Sequence, residues 1–215
     1  MEYIIYKKDI SKSVLKQKNI VITDDCVVAE NTKIWSSVCL KQGTVVDDAC
    51  EITSNSVLQH AKLGQGTIVK SSFLEDCTVG ANCSIGPFAH IRGGATLGDK
   101  CRVGNFVEIK NAQIGSESKM AHLAYIGDAT VGKNCNIGCG VIFCNYNGKI
   151  KQRSTLGDNV FVGSNTNLIA PVNIGDNAYI AGGSTITQNI PANEFAIARS
   201  RQTNKTGFKN PYLDR

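Results

Sequence analysis

The stretch Val79–Lys110 reads V-G-A-N-C-S-I-G-P-F-A-H-I-R-G-G-A-T-L-G-D-K-C-R-V-G-N-F-V-E-I-K, and its aliphatic residues fall six apart: Val79, Ile85, Ile91, Leu97, Val103 and Ile109. The same step carries Ile22, Val28, Ile34, Leu40, Val46, Ile52 and Leu58 before it, and Leu156, Val162, Leu168, Ile174, Ile180 and Ile186 after it. With hydrophobic residues at only 42% of the chain, nineteen aliphatic positions in step are not a chance pattern. A period of six differs from the ~3.6 of an amphipathic helix. It fits a short strand and a tight turn, repeated, which is the signature of a parallel β-helix. Three such sides close one triangular coil of about 18 residues. Each aliphatic residue then points inward and stacks on its equivalent one coil away.

Glycine often follows the aliphatic residue, as at Gly64, Gly80, Gly86, Gly98 and Gly104, where a corner needs close backbone approach. The register slips by one residue between Leu58 and Leu63 and between Ile109 and Ile114, which fits irregular turns. The chain has nine cysteines and no C-x-x-C spacing, so zinc-ribbon and redox readings lack their usual support. Cys26, Cys50, Cys77, Cys83, Cys101 and Cys135 each precede an inward aliphatic residue by two. Residues two apart on a strand share a face, so these six are expected to be small buried side chains.

The pattern sets the boundaries. An N-terminal segment spans 1–19, the β-helix spans 20–191, and a C-terminal arm carrying Arg199, Arg201, Lys205 and Lys209 spans 192–215. One stretch, 144–155, does not continue the aliphatic pattern and is expected to be a loop extruded from the coil. No apolar run reaches membrane-spanning length, and residues 1–19 lack the apolar core of a signal peptide, so a cytoplasmic protein is expected. The net charge of +5 suits small anionic ligands. The lysines and arginines are scattered and show no aromatic interleaving, so neither nucleic acid nor membrane is an expected partner.

Only three histidines are present, His60, His90 and His122, separated by 30 and 32 residues. Neither separation is a multiple of the coil, so a shared zinc site is disfavoured. His122 sits in M-A-H-L-A-Y-I-G-D, near Tyr125, and a neutral imidazole there could accept a proton from an amine. Arg92 and Lys110 are 18 residues apart, which puts them on adjacent coils, where they could hold a phosphate or stand as two solvated cations.

Six strings carry a closer likeness: I-G-P-F-A-H-I-R from Ile85, V-G-N-F-V-E-I-K from Val103, A-H-L-A-Y-I-G-D-A from Ala121, N-I-G-C-G-V-I-F-C-N-Y-N-G from Asn136, V-F-V-G-S-N-T-N-L-I-A-P-V from Val160 and A-R-S-R-Q-T-N-K-T-G-F from Ala198. Over Ile85–Phe208, and more loosely from Ile20, the chain resembles the acetyltransferase domain of the bacterial bifunctional enzyme that makes UDP-N-acetylglucosamine, a hexapeptide-repeat acyltransferase. The resemblance implies a left-handed β-helix, acetyl-CoA as co-substrate with no metal required, and a homotrimer with active sites between subunits. The implied reaction is N-acetylation of glucosamine-1-phosphate. It also implies roles. His122 matches the general base and Glu108 a residue that orients it. Arg92, Lys110, Tyr125, Asn136 and Lys151 match positions that bind the sugar phosphate. Asn145, Tyr146, Ser164 and Arg199 match acetyl-CoA contacts, and the Asn145 amide would help polarise the thioester carbonyl. Cys139 and Gly182 stand where the family commonly has alanine and would meet the co-substrate through backbone atoms.

Three features depart from the family pattern. No Gly-rich uridyltransferase domain is recognisable, Gly93-Gly94 replaces Pro-Gly, and Asn111 replaces a second lysine. Another amino-sugar phosphate, a nucleotide-linked amino sugar, or a non-catalytic scaffold are the alternatives left open.

Overall fold

The computed structural model describes residues 19–209; the segment 1–19, apart from Asn19, and the last part of the arm, 210–215, lie outside the described residues. Among the described residues, twenty-five strands of two to nine residues form one continuous parallel ladder, a β-solenoid. No helix is present among the described residues, so none is long and apolar enough to cross a membrane.

The ladder has three sides. On one side Val21, Cys39, Val57, Phe73, His90, Glu108, Tyr125, Ile142, Asn167 and Thr185 are paired in succession, giving ten stacked coils. A second side runs through Val45, Lys62, Thr78, Thr96, Gln113 and Thr130. The third runs through Ser84, Arg102, Lys119, Asn136, Phe161, Tyr179 and Phe195. The coil is not a uniform 18 residues. Val57 to Phe73 is 16, Phe73 to His90 is 17, His90 to Glu108 is 18 and Glu108 to Tyr125 is 17.

The corners explain this. Each coil carries left-handed residues at its turns, such as Phe106, Asn111 and Glu117, then Leu123, Asp128 and Asn134. Between the first two of each set the chain takes five residues rather than six, and the inward residues that flank the second of them, Ile109 and Ile114 or Ile126 and Val131, are likewise five apart. The register slips seen in the sequence lie at this corner.

All nineteen aliphatic positions face inward; eighteen are buried, and Val28, near the first coil, is half-buried against the same core. The six cysteines two residues before them are buried as well. They are more than filler. Cys50, Cys83, Cys101 and Cys135 direct their thiols at the carbonyls of Gly64, Gly98, Gly115 and Gly157, at 3.1–3.3 Å. In the same column Thr67 and Ser118 donate hydroxyls to Gly80 and Gly132. From Cys50 to Cys135 every position in the column thus carries a small side chain with a donor, thiol serving as a weak one, before Val160 and Ala178 end the series. Burial pushes the Cys77 thiol up to about 12.

The solenoid continues past Pro191. Phe195–Ala196 pairs with Tyr179–Ile180, and Thr185 donates to the carbonyl of Ala198, so the arm begins later than 192. Backbone pairing holds these residues where the aliphatic pattern has ended. The extruded segment leaves after Cys144 and the ladder resumes at Ser154; within it Tyr146 and Lys151 form an antiparallel bridge.

Candidate active site

The first side presents two outward rows. One contains His90, Glu108 and Tyr125, and the other Arg92, Lys110 and Gly127, each residue in register with the next. Alternation along the strands points both rows away from the core. Arg92 donates from Nε and Nη2 to Glu108 Oε1, at 2.9 and 2.6 Å. Lys110 is the Cα partner of Arg92. Lys151, reaching back from the extruded segment, and then Arg92 hold the Lys110 ammonium below the usual lysine range, while Asp128 works against them. Three cations therefore converge with one carboxylate already committed, an arrangement that favours a multiply charged anion.

Beside them Asn145, buried at the start of the loop, directs Nδ2 to Asp128 Oδ2 at 2.5 Å and to Tyr125 Oη at 3.4 Å. A Cβ at Gly127 would strike both Tyr125 Oη and Asn145 Nδ2, so only glycine admits the pair. The Nδ2 of Asn145 is thus engaged within the chain, which leaves its oxygen, not its amide hydrogens, for the cleft. This differs from the carbonyl-polarising role expected of it.

His122 is exposed at the corner beside Leu123, and its Nδ1 lies 3.0 Å from Asn105 Oδ1. Asn105 is its register partner one coil earlier. An oxygen facing Nδ1 makes that nitrogen the protonated one and leaves the Nε2 lone pair free. Glu108, expected to orient His122, is instead bonded to Arg92. At Gly104, next to Asn105, any Cβ would run into the Ala121 backbone; glycine there lets the two coils close on each other.

The remaining expected residues are elsewhere in the chain. Asn136 lies on the third side, paired with Lys119 and Phe161. Cys139, Ser164 and Gly182 form a strip along successive coils: Asn165 donates to Cys139 O, Gly183 donates to Ser164 O, and a Cβ at Gly182 would be 3.1 Å from Ser164 O. A Cβ at Gly183, at the end of the strip, would lie 3.8 Å from Arg199 Cδ. A smooth strip of small residues ending in a cation fits an extended ligand with terminal phosphates. Tyr146 bonds the Gly148 carbonyl and stays exposed.

Next to His122 the corner is apolar and exposed. Phe88 and Phe106 stack with ring centroids 5.7 Å apart, and Leu123 follows one coil on. All three are bulky residues at positive φ, a conformation that carries a cost. The other two histidines go their own ways: His60 contacts Asp76 and His90 faces Glu75. Among the described residues no group of three His, Cys, Asp or Glu could hold a metal ion.

Sequence reading missed Asn105, Gly127 and Asp128. The signal for two of them was present: Asn105 precedes His122 by 17 residues and Asp128 precedes Asn145 by 17, the true coil length here rather than 18.

The family model described as bacterial transferase hexapeptide (six repeats) matches residues 76–111 and 153–188. The bifunctional protein GlmU of Shouchella clausii (strain KSM-K16) is 44% identical over 196 residues, 91% of this chain. The chain belongs to the bacterial hexapeptide-repeat transferase family. A second relative, the bifunctional protein GlmU of Clostridioides difficile (strain 630), is 45% identical over the same length of 196 residues. The chain spans 43% of the length of each of these family members. Among solved structures, a UDP-N-acetylglucosamine acyltransferase superposes with a TM-score of 0.54 at 18% identity, covering 86% of this chain and 69% of that one. The Campylobacter jejuni enzyme of that name gives 0.52 at 21% identity, covering 82% and 71%. At such identities the likeness speaks for the fold alone.

Proposed function

We propose that the chain is an acetyl-CoA-dependent N-acetyltransferase that converts glucosamine-1-phosphate to N-acetylglucosamine-1-phosphate, acting in the cytoplasm as a homotrimer with sites between subunits. The observation that carries the reading is the convergence of Arg92, Lys110 and Lys151 beside Tyr125 and Asn145. A sugar phosphate supplies the matching dianion and hydroxyls. The 44% identity to a GlmU protein supports the choice of sugar.

In this reading the three cations bind the phosphate, and Glu108 fixes the Arg92 guanidinium for it. His122, its Nδ1 proton held by Asn105, takes a proton at Nε2 from the sugar amine as the nitrogen attacks. An amine of pKa about 8 is within reach of an imidazole base. As the C–S bond of the thioester breaks, His122 then passes that proton to the departing thiolate. The bound acetyl-CoA would supply the activated acetyl group; Cys139, Ser164, Gly182 and Arg199 would hold it, with Tyr146 and Asn145 at the acetyl end. The backbone N–H of Cys139 is the proposed donor to the developing oxyanion. No metal is required for this step.

The strip around Cys139 and the cation cluster belong to different parts of the coil, and Asn136 lies on another side from Lys110. A neighbouring subunit bringing its strip and its Asn136 against this cluster would complete one site. The Phe88–Phe106–Leu123 corner supports such a contact: strained, exposed and apolar, it is suited to burial between copies.

The test is an acceptor screen that reads CoA thiol release from acetyl-CoA with glucosamine-1-phosphate, galactosamine-1-phosphate and UDP-glucosamine, alongside sedimentation. Turnover greatest with glucosamine-1-phosphate by a 69-kDa species, about three times 23.0 kDa, is expected. No turnover with any acceptor refutes the activity.

A further inference from the structure

Asn111, Asp128 and Asn145 follow one another at 17-residue steps down a single corner, and their side chains form one hydrogen-bonded string. The Asp128 carboxylate is its centre. Asn111 Nδ2 donates to Oδ1 and Asn145 Nδ2 donates to Oδ2. An ionised carboxylate only accepts, so both amides must turn their nitrogens toward it. That decides an orientation which an isolated amide would leave open.

We propose that Asp128 is a positioning residue that sets the hydrogen-bond polarity of the active site. This rests on the reading above and extends it. With Nδ2 locked on Asp128, Asn145 offers the cleft an acceptor oxygen. The second Nδ2 hydrogen points at Tyr125 Oη, so the phenol accepts from Asn145 and its own proton is free to be donated outward. Asp128 thereby makes residue 145 an acceptor and residue 125 a donor. The acceptor suits an amine or hydroxyl hydrogen, and the donor suits a phosphate or ring oxygen.

The string also anchors the extruded segment. Asn145 ties its first residue to Asp128, and Arg153 ties its far end to the same corner, donating to Asn111 O, Ala129 O and Thr130 Oγ1. Asn111, which stands where the family pattern has a lysine, is thus part of the device. It caps one carboxylate oxygen of Asp128 and leaves the other to Asn145.

The test uses the full chain and two variants. In Asp128→Asn the new amide cannot accept from both neighbours, because one of its two ends is a donor. In Asn111→Asp/Asp128→Asn the new amide donates to the carboxylate introduced one coil earlier and still accepts from Asn145. The polarity at Asn145 is then rebuilt with the charge moved by one coil. We expect Asp128→Asn to lower kcat with glucosamine-1-phosphate by about 10- to 100-fold, as misorientation of a site group does, and the double variant to recover most of it. Wild-type kcat in Asp128→Asn overturns the proposal. So does a double variant that folds and stays as slow as the single one, since charge rather than polarity would then be at work. A second readout does not need turnover. The side-chain NH2 resonance of Asn145, assigned with Asn145→Asp, should be protected from solvent exchange in the wild type and in the double variant but not in Asp128→Asn. Equal exchange in all three overturns the positioning even if the enzyme is active. An inactive wild type with a protected amide overturns the functional reading alone.

Discussion

Asn105 Oδ1 sits 3.0 Å from Nδ1 of His122, one coil below it and in strict register. The ring's orientation is therefore written into the ladder: a residue 17 positions earlier fixes the tautomer of the one that faces solvent. Removing the acceptor should not unfold anything, since both side chains are outside the core. Asn105→Ala is expected to lower kcat about 10-fold, a part of the ~10²–10⁴ a general base contributes, and His122→Ala to lose most of that full factor. Asn105→Asp places a carboxylate beside Nδ1 and favours the imidazolium. The base is then unprotonated only at higher pH, so the acid limb of the kcat/KM profile moves upward. An unmoved limb in Asn105→Asp would dissociate the pair from catalysis.

The cation cluster predicts a second pH effect. Lys151 and Arg92 hold the Lys110 ammonium below its usual range in the free protein. A bound phosphate dianion favours the protonated form. Lys110 is charged below its depressed pKa, where affinity is full. Affinity is lost as pH rises through that pKa, toward the higher value Lys110 has in the complex. The acceptor KM is therefore expected to climb at a lower pH than an ordinary lysine would dictate. Lys151→Ala, by relieving the repulsion, should shift that climb to higher pH while raising KM at neutrality. Steady-state kinetics across pH 7–10 would check both, and an unchanged alkaline limb in Lys151→Ala would separate the two lysines.

Gly127 offers a sterically defined test. It is buried in register with Lys110, and a methyl there collides with Tyr125 Oη and Asn145 Nδ2. Gly127→Ala should cost about 1–3 kcal/mol by overpacking and lower kcat/KM by about 100-fold through displacement of the two polar groups. Thermal unfolding and kinetics on the same preparation distinguish the two losses. Full activity would mean that Tyr125 and Asn145 need not share that space.

What the sequence made legible follows from period. Inward residues repeat with the coil, so Ile85, Leu97 and Val103 declared themselves by spacing alone. Arg92 and Lys110 could be paired because that coil happens to contain 18 residues. Asn105 and Asp128 were hidden for the complementary reason: their coils contain 17, since the corner at Asn111 or Asp128 takes one residue fewer. Phe195 escaped because backbone pairing, with no buried aliphatic in step, carries the last coil. The strip of Cys139, Ser164 and Gly182 has no chemistry that periodicity could flag, and only the resemblance pointed to it.

The cysteine column separates packing from hydrogen bonding. Cys101 is buried and donates to Gly115 O, while Ser118 at the next position in the column donates to Gly132 O. If the column needed only a small apolar group, Cys101→Ala would be nearly neutral and Cys101→Ser would pay for a buried hydroxyl. If it needs a donor, the order reverses: Ala strands the Gly115 carbonyl at a cost of about 1–2 kcal/mol, and Ser stays within about 0.5 kcal/mol of the parent because hydroxyl is the stronger donor. Urea unfolding of the two variants decides between them, since both remove the same sulfur and differ in the donor. The donor account predicts that Cys50, Cys83 and Cys135 follow the same order, each with its own glycine carbonyl one coil away.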